Sequence, residues 1–215
     1  MPSYAEQPNS SLVESVITSV ASQCQNFGVV NDLGIDTVTQ NVFVPCGGEN
    51  LVYIINEATN NIVASIPVKT PWGVAADETT GTLYVAQSSP TNTVSVISEK
   101  TNTVTATIPV GRYSEYLAVD SKNKQLFVSN YQDATVSVID TKTNKVKTTI
   151  QLGGAAGLAF DKKTEKLYVS DYFNTPNASV KWGSVYVIDA KSLNVITNIP
   201  TPNGCNPLNP HYAPL

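Results

Sequence analysis

Apolar and polar residues alternate along most of the chain in short runs rich in Val, Ile, Thr and Tyr. Residues 135–146, Thr-Val-Ser-Val-Ile-Asp-Thr-Lys-Thr-Asn-Lys-Val, contain an alternating run, a polar turn and the start of the next run. Alternation with a period of two places the apolar side chains on one face of a strand, and Asn, Asp, Gly and Lys are typical of tight turns. The pattern therefore predicts short antiparallel strands.

This strand pattern occurs four times. Each copy contains four runs, a to d in chain order, with an aromatic residue in run b and an acidic residue seven positions before it. The aromatic residues are Phe43, Tyr84, Phe127 and Tyr168, spaced by 41, 43 and 41 residues, and the acids are Asp36, Asp77, Asp120 and Asp161. Four strands in a period of about 40 residues are typical of a propeller blade. We therefore expect an all-β fold, a β-propeller of four four-stranded blades.

The predicted units cover most of the chain, at 27–69, 70–112, 113–154 and 155–204. Three arrangements of four blades remain open: a small closed ring, an open arc, and half of a ring that a second copy completes. An open arc needs a cap or a partner, because exposed strand edges and apolar blade faces promote aggregation.

The two ends of the chain lie outside the repeats. Residues 1–26 are predicted to form a capping segment, with apolar positions 12, 13, 16, 17 and 20 that favour a short helix. Ser11 and Glu14 have the spacing of a capping box. An additional d strand is the competing interpretation. The tail 205–215 contains three prolines and is expected to lie on the surface.

The repeat resembles the YVTN family of β-propellers. The resemblance rests on the Tyr-Val segments, on Thr-Val-Ser-Val-Ile-Asp and on Thr-Asn-x-Val-x-x-Thr-Ile-Pro-Val-Gly, with the best matches at 83–111 and 126–153. It covers residues 27 to 204 and implies a β-propeller of an extracellular, periplasmic or cell-surface protein. Propellers of this family usually contain more than four blades. The resemblance implies little about activity, because the repeats form a scaffold.

Strand order predicts two functionally different ends of the blades. Loops d–a and b–c lie at one end, called the aromatic face below, and turns a–b and c–d lie at the other end, called the turn face. Aromatic rings in irregular loops with a few charges suit recognition of a protein, a peptide or a glycan. The predicted ligand-binding residues are Trp72, Arg112, Tyr113, Tyr116, Asn130, Tyr131, Asp171, Tyr172 and Phe173, with Glu115 among them. The alternative is that several of these rings only seal the spaces between blades.

The turn face carries most of the lysines and the four repeated acids. We interpret these residues as solvated turns in which Asp favours the turn conformation. A weak contact with an anionic polymer is the alternative for the lysines, and a cation site near the propeller axis is the alternative for the acids.

Three cysteines, Cys24, Cys46 and Cys205, map to the aromatic face. A Cys24–Cys46 disulfide is the preferred pairing, Cys205 is the alternative partner if the chain ends meet, and three unpaired thiols are the remaining alternative. No metal or cofactor is predicted, because paired Cys or His spacings are missing. His211 in the tail is the single histidine of the chain, which disfavours His-based catalytic triads.

Charge and hydropathy limit the classes of partner that the chain is expected to bind. The chain has 13 Lys and Arg, 17 Asp and Glu, and a formal net charge of −4, which disfavours a nucleic-acid partner. No apolar run approaches the roughly 20 residues of a membrane span, and no secretory signal is visible at the N-terminus.

These observations favour a non-enzymatic extracytoplasmic binding or structural module that recognises a protein, glycan or cell-surface ligand. The alternative function is a propeller hydrolase or lyase acting on a lactone-like small molecule. A homodimer that forms eight blades from two copies is also considered.

Overall fold

The computed structural model describes residues 32–171 and 183–200, and in these ranges it contains sixteen β-strands and no helix. Blade 1 consists of β1 (Gly34–Asp36), β2 (Asn41–Cys46), β3 (Leu51–Asn56) and β4 (Asn61–Pro67). Blade 2 consists of β5 (Pro71–Asp77), β6 (Thr82–Gln87), β7 (Thr93–Ser98) and β8 (Thr103–Pro109). Blade 3 consists of β9 (Ser114–Asp120), β10 (Gln125–Asn130), β11 (Thr135–Asp140) and β12 (Lys145–Gln151). Blade 4 consists of β13 (Leu158–Asp161), β14 (Lys166–Asp171), β15 (Ser184–Asp189) and β16 (Val195–Pro200).

Each blade is an antiparallel sheet in which strands consecutive in the chain are neighbours. The predicted all-β fold with four four-stranded blades is confirmed. The first strands of the blades form the inner side of the assembly, where β1 packs against β5, β5 against β9, and β9 against β13. The predicted capping segment, including its helix, and the Pro-rich tail lie outside the described residues.

The repeated acids shape the turns that follow the inner strands. Asp36 Oδ1 accepts hydrogen bonds from the backbone N–H groups of Val38 and Thr39, at 2.7 and 2.9 Å. The other three acids accept a backbone N–H two or three residues ahead in the same way. The last residue of each turn has a positive φ, between 52° and 61°: Gln40, Gly81, Lys124 and Glu165. These contacts support the interpretation of the acids as turn formers. The prediction that the acids are solvated is wrong for Asp36, Asp77 and Asp120, which are at most 2% exposed. Asp77, for example, accepts a hydrogen bond from the Ser121 hydroxyl of blade 3 at 2.6 Å.

Apolar packing between blades supplies the core. Phe43, Tyr84 and Phe127 each lie in the seam with the following blade and are at most 2% exposed. Leu83, Leu126 and Leu167, from the opposite face of the following blade, complete the same three seams and are fully buried. Each four-stranded sheet is therefore stabilised by its neighbours, because both of its faces are apolar.

Blade 4 has no following blade in the described residues, and its residues on that side are more exposed than the matching residues of blades 1 to 3. Ile66, Ile108 and Ile150 occupy matching positions on the fourth strands and are 1, 2 and 9% exposed, whereas Ile199 in β16 is 49% exposed. Tyr168 is correspondingly only half-buried. Extensive strand packing between blades in the described ranges joins consecutive blades only. Blade 4 therefore exposes an apolar face, whereas the equivalent faces of blades 1, 2 and 3 are buried against the following blade.

Gly73 in β5 lies where two inner strands approach each other closely. A Cβ atom at this position would lie 2.0 Å from the backbone oxygen of Glu115 in β9, so the two strands would have to separate. Gly81 differs, because its positive φ of 61° favours glycine but a Cβ there would meet no atom within 4 Å. Gln40, Lys124 and Glu165 adopt a similar φ in the matching turns.

We predict that Gly73→Ala lowers the free energy of unfolding by more than Gly81→Ala. The strain at Gly81 is confined to one backbone angle and costs about 1–2 kcal/mol. At Gly73 the added carbon meets backbone that no side-chain rotation can move. Urea unfolding of the two variants measures the difference, and equal losses would contradict the close packing of β5 on β9.

Candidate aromatic-face site

A pocket of about 500 Å³ opens on the aromatic face where blade 3 leads into blade 4. Its walls come from the loop before β9, the β10–β11 loop and the β12–β13 connection. The lining residues are Tyr113, Tyr131, Gln132, Ala134, Gly153 and Gly154. Tyr113 and Tyr131, both predicted binding residues, are brought together, since the Tyr131 N–H donates to the Tyr113 carbonyl at 2.9 Å.

Tyr113 is held at the edge of this pocket by its backbone. Its φ of 53° is left-handed, and its N–H donates to Asn92 Oδ1 of blade 2 at 2.9 Å. Its side chain is 41% exposed. A loop of blade 2 therefore fixes an aromatic ring at the mouth of a pocket formed by blade 3.

Arg112 is fixed beside the same ring by Asp133. The Arg112 Nε donates to Asp133 Oδ1 at 2.6 Å, and the Arg112 backbone N–H donates to Asp133 Oδ2 at 2.8 Å. The backbone hydrogen bond, together with the guanidinium, holds the pKa of Asp133 below its ordinary value. The Arg112 side chain is 63% exposed, so much of its charge remains accessible to a ligand.

Asn130, another predicted binding residue, lies beneath the face. It is fully buried, and its Nδ2 donates to Thr135 Oγ1 and Ser137 Oγ at 2.9 and 2.8 Å. Gln87 occupies the matching position in blade 2, where its Oε1 accepts from Ser95 Oγ at 2.6 Å. Both side chains stabilise the hairpins that carry the loops. Sequence reasoning did not identify Gln87, although its position at the end of β6 matches that of Asn130 in β10.

Asp171 lies close to the pocket wall at the end of β14. A Cβ atom on Gly154 would lie 1.9 Å from Asp171 Oδ1, so the carboxylate lies directly against the backbone of a residue that lines the pocket. Tyr172 and Phe173, the next two predicted binding residues, lie outside the described residues.

Trp72, Tyr116 and Glu115 belong to the inner strands and are half-buried. Trp72 and Glu115 are the second residues of β5 and β9, and Trp72 Nε1 is buried without an acceptor among the described residues. Burial raises the pKa of Glu115 to about 7. Burial also raises the pKa of Asp32, although the N–H groups of Val74 and Leu33 donate to its carboxylate and oppose this effect. Sequence reasoning did not identify Asp32.

Cys46 at the end of β2 is fully buried in an apolar cluster with Val44, Tyr53 and Ile55. Cys24, Cys205 and His211 lie outside the described residues, so the disulfide pairing stays a prediction. Across 32–171 and 183–200, no group of three or more His, Cys, Asp and Glu is arranged to hold a metal ion. In the same ranges no helix is long and apolar enough to cross a membrane.

A second pocket, of about 490 Å³, lies on the turn face between blades 3 and 4. Lys122, Lys124 and Lys162 line it together with Asp120 and Glu165. Lys122 is paired with Glu165, so part of the positive charge in this pocket is neutralised internally.

Comparison with known proteins supports the fold. No family model and no curated protein sequence matches the chain. A solved structure of Kuenenia stuttgartiensis hydrazine synthase matches with a TM-score of 0.72 and 18% identity over 80% of this chain and 49% of that chain. Dihydro-heme d1 dehydrogenase NirN in complex with DHE matches with a TM-score of 0.58 and 15% identity over 79% of this chain and 37% of that chain.

These likenesses show the fold alone, a β-propeller, in agreement with the four blades. The chain spans about half the length of the first neighbour and just over a third of the second. Membership of the YVTN family stays a prediction.

We predict that Glu115 titrates near neutral pH. Its pKa of about 7 in the folded chain exceeds the ordinary value of 4.5, so the folded state holds the proton that the unfolded state releases. The contribution of Glu115 to stability is therefore full below about pH 4.5 and is lost as pH rises through about 7. Carbon-detected NMR of the side-chain carboxyl measures the titration. Glu115→Gln should remove it, and a midpoint near 4.5 in the wild type would contradict the burial of this group.

Proposed function

We propose that this chain is a non-enzymatic binding propeller that recognises a glycan, or a protein or other cell-surface ligand, through the aromatic face. The observation that carries the proposal is the pocket between Tyr113 and Tyr131. Its volume of about 500 Å³ lies within the range of roughly 300–1,000 Å³ that is typical of ligand pockets.

The chemistry of the pocket suits an amphipathic ligand. Tyrosine rings offer an apolar surface for stacking and a hydroxyl for hydrogen bonding. Gly153 and Gly154 line the pocket without side chains that would narrow it, and Arg112 and Asp171 supply opposite charges beside the rings. A sugar ring, which has apolar faces and hydroxyl edges, fits these features best, and we place Trp72 and Tyr116 in an extension of the same surface.

The resemblance of the repeats to the YVTN family supports membership of that family and an extracellular, periplasmic or cell-surface location. A Cys24–Cys46 disulfide is consistent with such an oxidising location. We therefore propose an extracytoplasmic location together with a Cys24–Cys46 disulfide. Non-reducing peptide mapping by mass spectrometry tests the cysteine pairing.

We predict that Tyr113→Ala and Tyr131→Ala each weaken binding to the glycans that wild-type protein retains on a glycan array. Stacking of a nucleic-acid base on an aromatic ring is worth about 1–3 kcal/mol, and a loss of the same order for a sugar ring corresponds to roughly a 5- to 150-fold loss of affinity. Val38→Ala is the matched control, because Val38 is 72% exposed in a β1–β2 turn on the opposite face. Unchanged binding in both tyrosine variants would assign recognition to another surface.

A hydrolase or lyase acting on a lactone-like small molecule is the second candidate. Glu115 favours it, because a carboxyl group with a pKa of about 7 suits a general acid or base at neutral pH. Release of acid from a panel of lactones, lost in Glu115→Gln, would support this function over simple binding.

A homodimer is the third element of the proposal. The exposed Ile199 and half-buried Tyr168 of blade 4 occupy positions that contact a following blade elsewhere in the chain. Leu33, at the inner side of blade 1, is 57% exposed, whereas Val74 at the matching position is 4% exposed. Tyr53, further out on this side of blade 1, is already buried within one copy, so the contact would involve mainly the inner strands.

We predict that light scattering of the purified protein gives the mass of two chains. Ile199→Lys should then shift the equilibrium towards the monomer, because it places a charge in an apolar contact. Lys147→Ala, a change on an exposed residue of β12, is the control. A monomer at high protein concentration would contradict the dimer.

A further inference from the structure

The seam between blades 1 and 2 contains a carboxyl group that the other two seams do not have. Glu99 is the first residue of the β7–β8 turn, and the matching residues of blades 3 and 4 are Thr141 and Ala190. Thr141 lies beside the Tyr84 hydroxyl of blade 2 and lowers the pKa of that group. The Ala190 carbonyl accepts from Gln125 Nε2 of blade 3 at 3.3 Å. This turn position therefore contacts the preceding blade, and in blade 2 it carries an acid.

Glu99 lies against Asp36 of blade 1, and Thr39 connects the two carboxyl groups. The Thr39 N–H donates to Asp36 Oδ1 at 2.9 Å, and the Thr39 hydroxyl donates to Glu99 Oε2 at 3.4 Å. Asp36 is 1% exposed. Its second oxygen, Oδ2, and Glu99 Oε1 are both buried without a hydrogen-bond partner among the described residues.

Two ionised carboxylates cannot satisfy each other, because neither carries a hydrogen to donate. A neutral carboxyl group and a carboxylate can form a strong hydrogen bond, which would satisfy both buried oxygens at once. We propose that Glu99 and Asp36 share one proton, that this proton joins blades 1 and 2, and that its loss at alkaline pH weakens their seam.

The electrostatic surroundings of Glu99 favour the protonated form. Burial is the largest effect, and the neighbouring carboxyl group of Asp36 and its negative charge add to it, so that the pKa of Glu99 rises to about 7. The charge of Asp77, at the end of β5, raises it further, and the Thr39 hydroxyl opposes these effects. Glu78, the next acid along the seam, is held by the Thr37 N–H and hydroxyl at 3.0 and 2.9 Å. The two charged groups that raise the pKa of Glu99, Asp36 and Asp77, are both acids.

The shared proton gives the seam a defined pH dependence. The pKa of Glu99 in the folded chain, about 7, lies above the ordinary value of 4.5. The stabilisation is therefore complete below about pH 4.5 and is lost as pH rises through about 7. At the proposed extracytoplasmic location, the contact between blades 1 and 2 would be more stable in acidic media than in alkaline media.

The test compares urea unfolding of wild type and Glu99→Gln between pH 5 and 9, both in a Glu115→Gln background so that the second group with a pKa near 7 is removed. The amide that Glu99→Gln introduces can donate to Asp36 Oδ2 at every pH. We expect the urea concentration at the unfolding midpoint of the Glu99-containing protein to decrease as the pH is raised from 6 to 8. The midpoint of Glu99→Gln should change less over this range, and at pH 8.5 it should exceed that of the Glu99-containing protein. Parallel pH profiles would overturn the proposal.

A second measurement does not depend on folding of the Glu99→Gln variant. NMR titration of the Glu99 carboxyl in the wild type should give a midpoint near 7, and Asp36→Asn should lower it, because the negative partner is replaced by a neutral one. A midpoint near 4.5 in the wild type would overturn the proposal. Stabilisation of the wild type, but not of Glu99→Gln, by 1 mM CaCl₂ relative to EDTA at pH 8.5 would also overturn it and assign the pair to a cation.

Discussion

Apolar packing between successive blades is the constraint on which the rest of this structure depends. A single four-stranded sheet encloses no core, and here the side chains of both faces are apolar, so each sheet is stable only against its neighbours. Burial of one large side chain such as Phe127 contributes about 1.5–3 kcal/mol. Repetition of such contacts along the seams fixes the order, spacing and orientation of the blades, and the loops follow from these.

The aromatic-face pocket follows directly from this arrangement. Its residues come from three different loops, and they converge because blades 2, 3 and 4 are packed in sequence. The hairpins beneath are stiffened by buried amides, Asn130 in blade 3 and Gln87 in blade 2, whose hydrogen bonds remain within their own sheets or reach the adjoining loop. A rigid scaffold of this kind can carry exposed rings such as that of Tyr113, because other residues of the pocket-forming loops, such as Leu152 and Ala155, are buried in the seams.

The polar rims of the seams are more variable than their apolar centres. At one and the same turn position, blade 3 uses a threonine hydroxyl, blade 4 uses a backbone carbonyl, and blade 2 uses the carboxyl group of Glu99. The first two are neutral and independent of pH. The third makes the seam between blades 1 and 2 chemically different although its apolar core is of the same kind.

The sequence alone determined the four blades, the strand positions and the two ends to which their loops belong, because alternation and a period of about 40 residues are local and repeated properties. It also indicated the turn-forming role of the acids such as Asp36, since that role involves neighbours two and three residues away. Only the tertiary structure decided that Tyr113 and Tyr131 share a pocket while Asn130 is buried, and that Glu99 meets Asp36. These relations join residues from different strands or blades, and the packing distance between two sheets is not encoded in the pattern of either one.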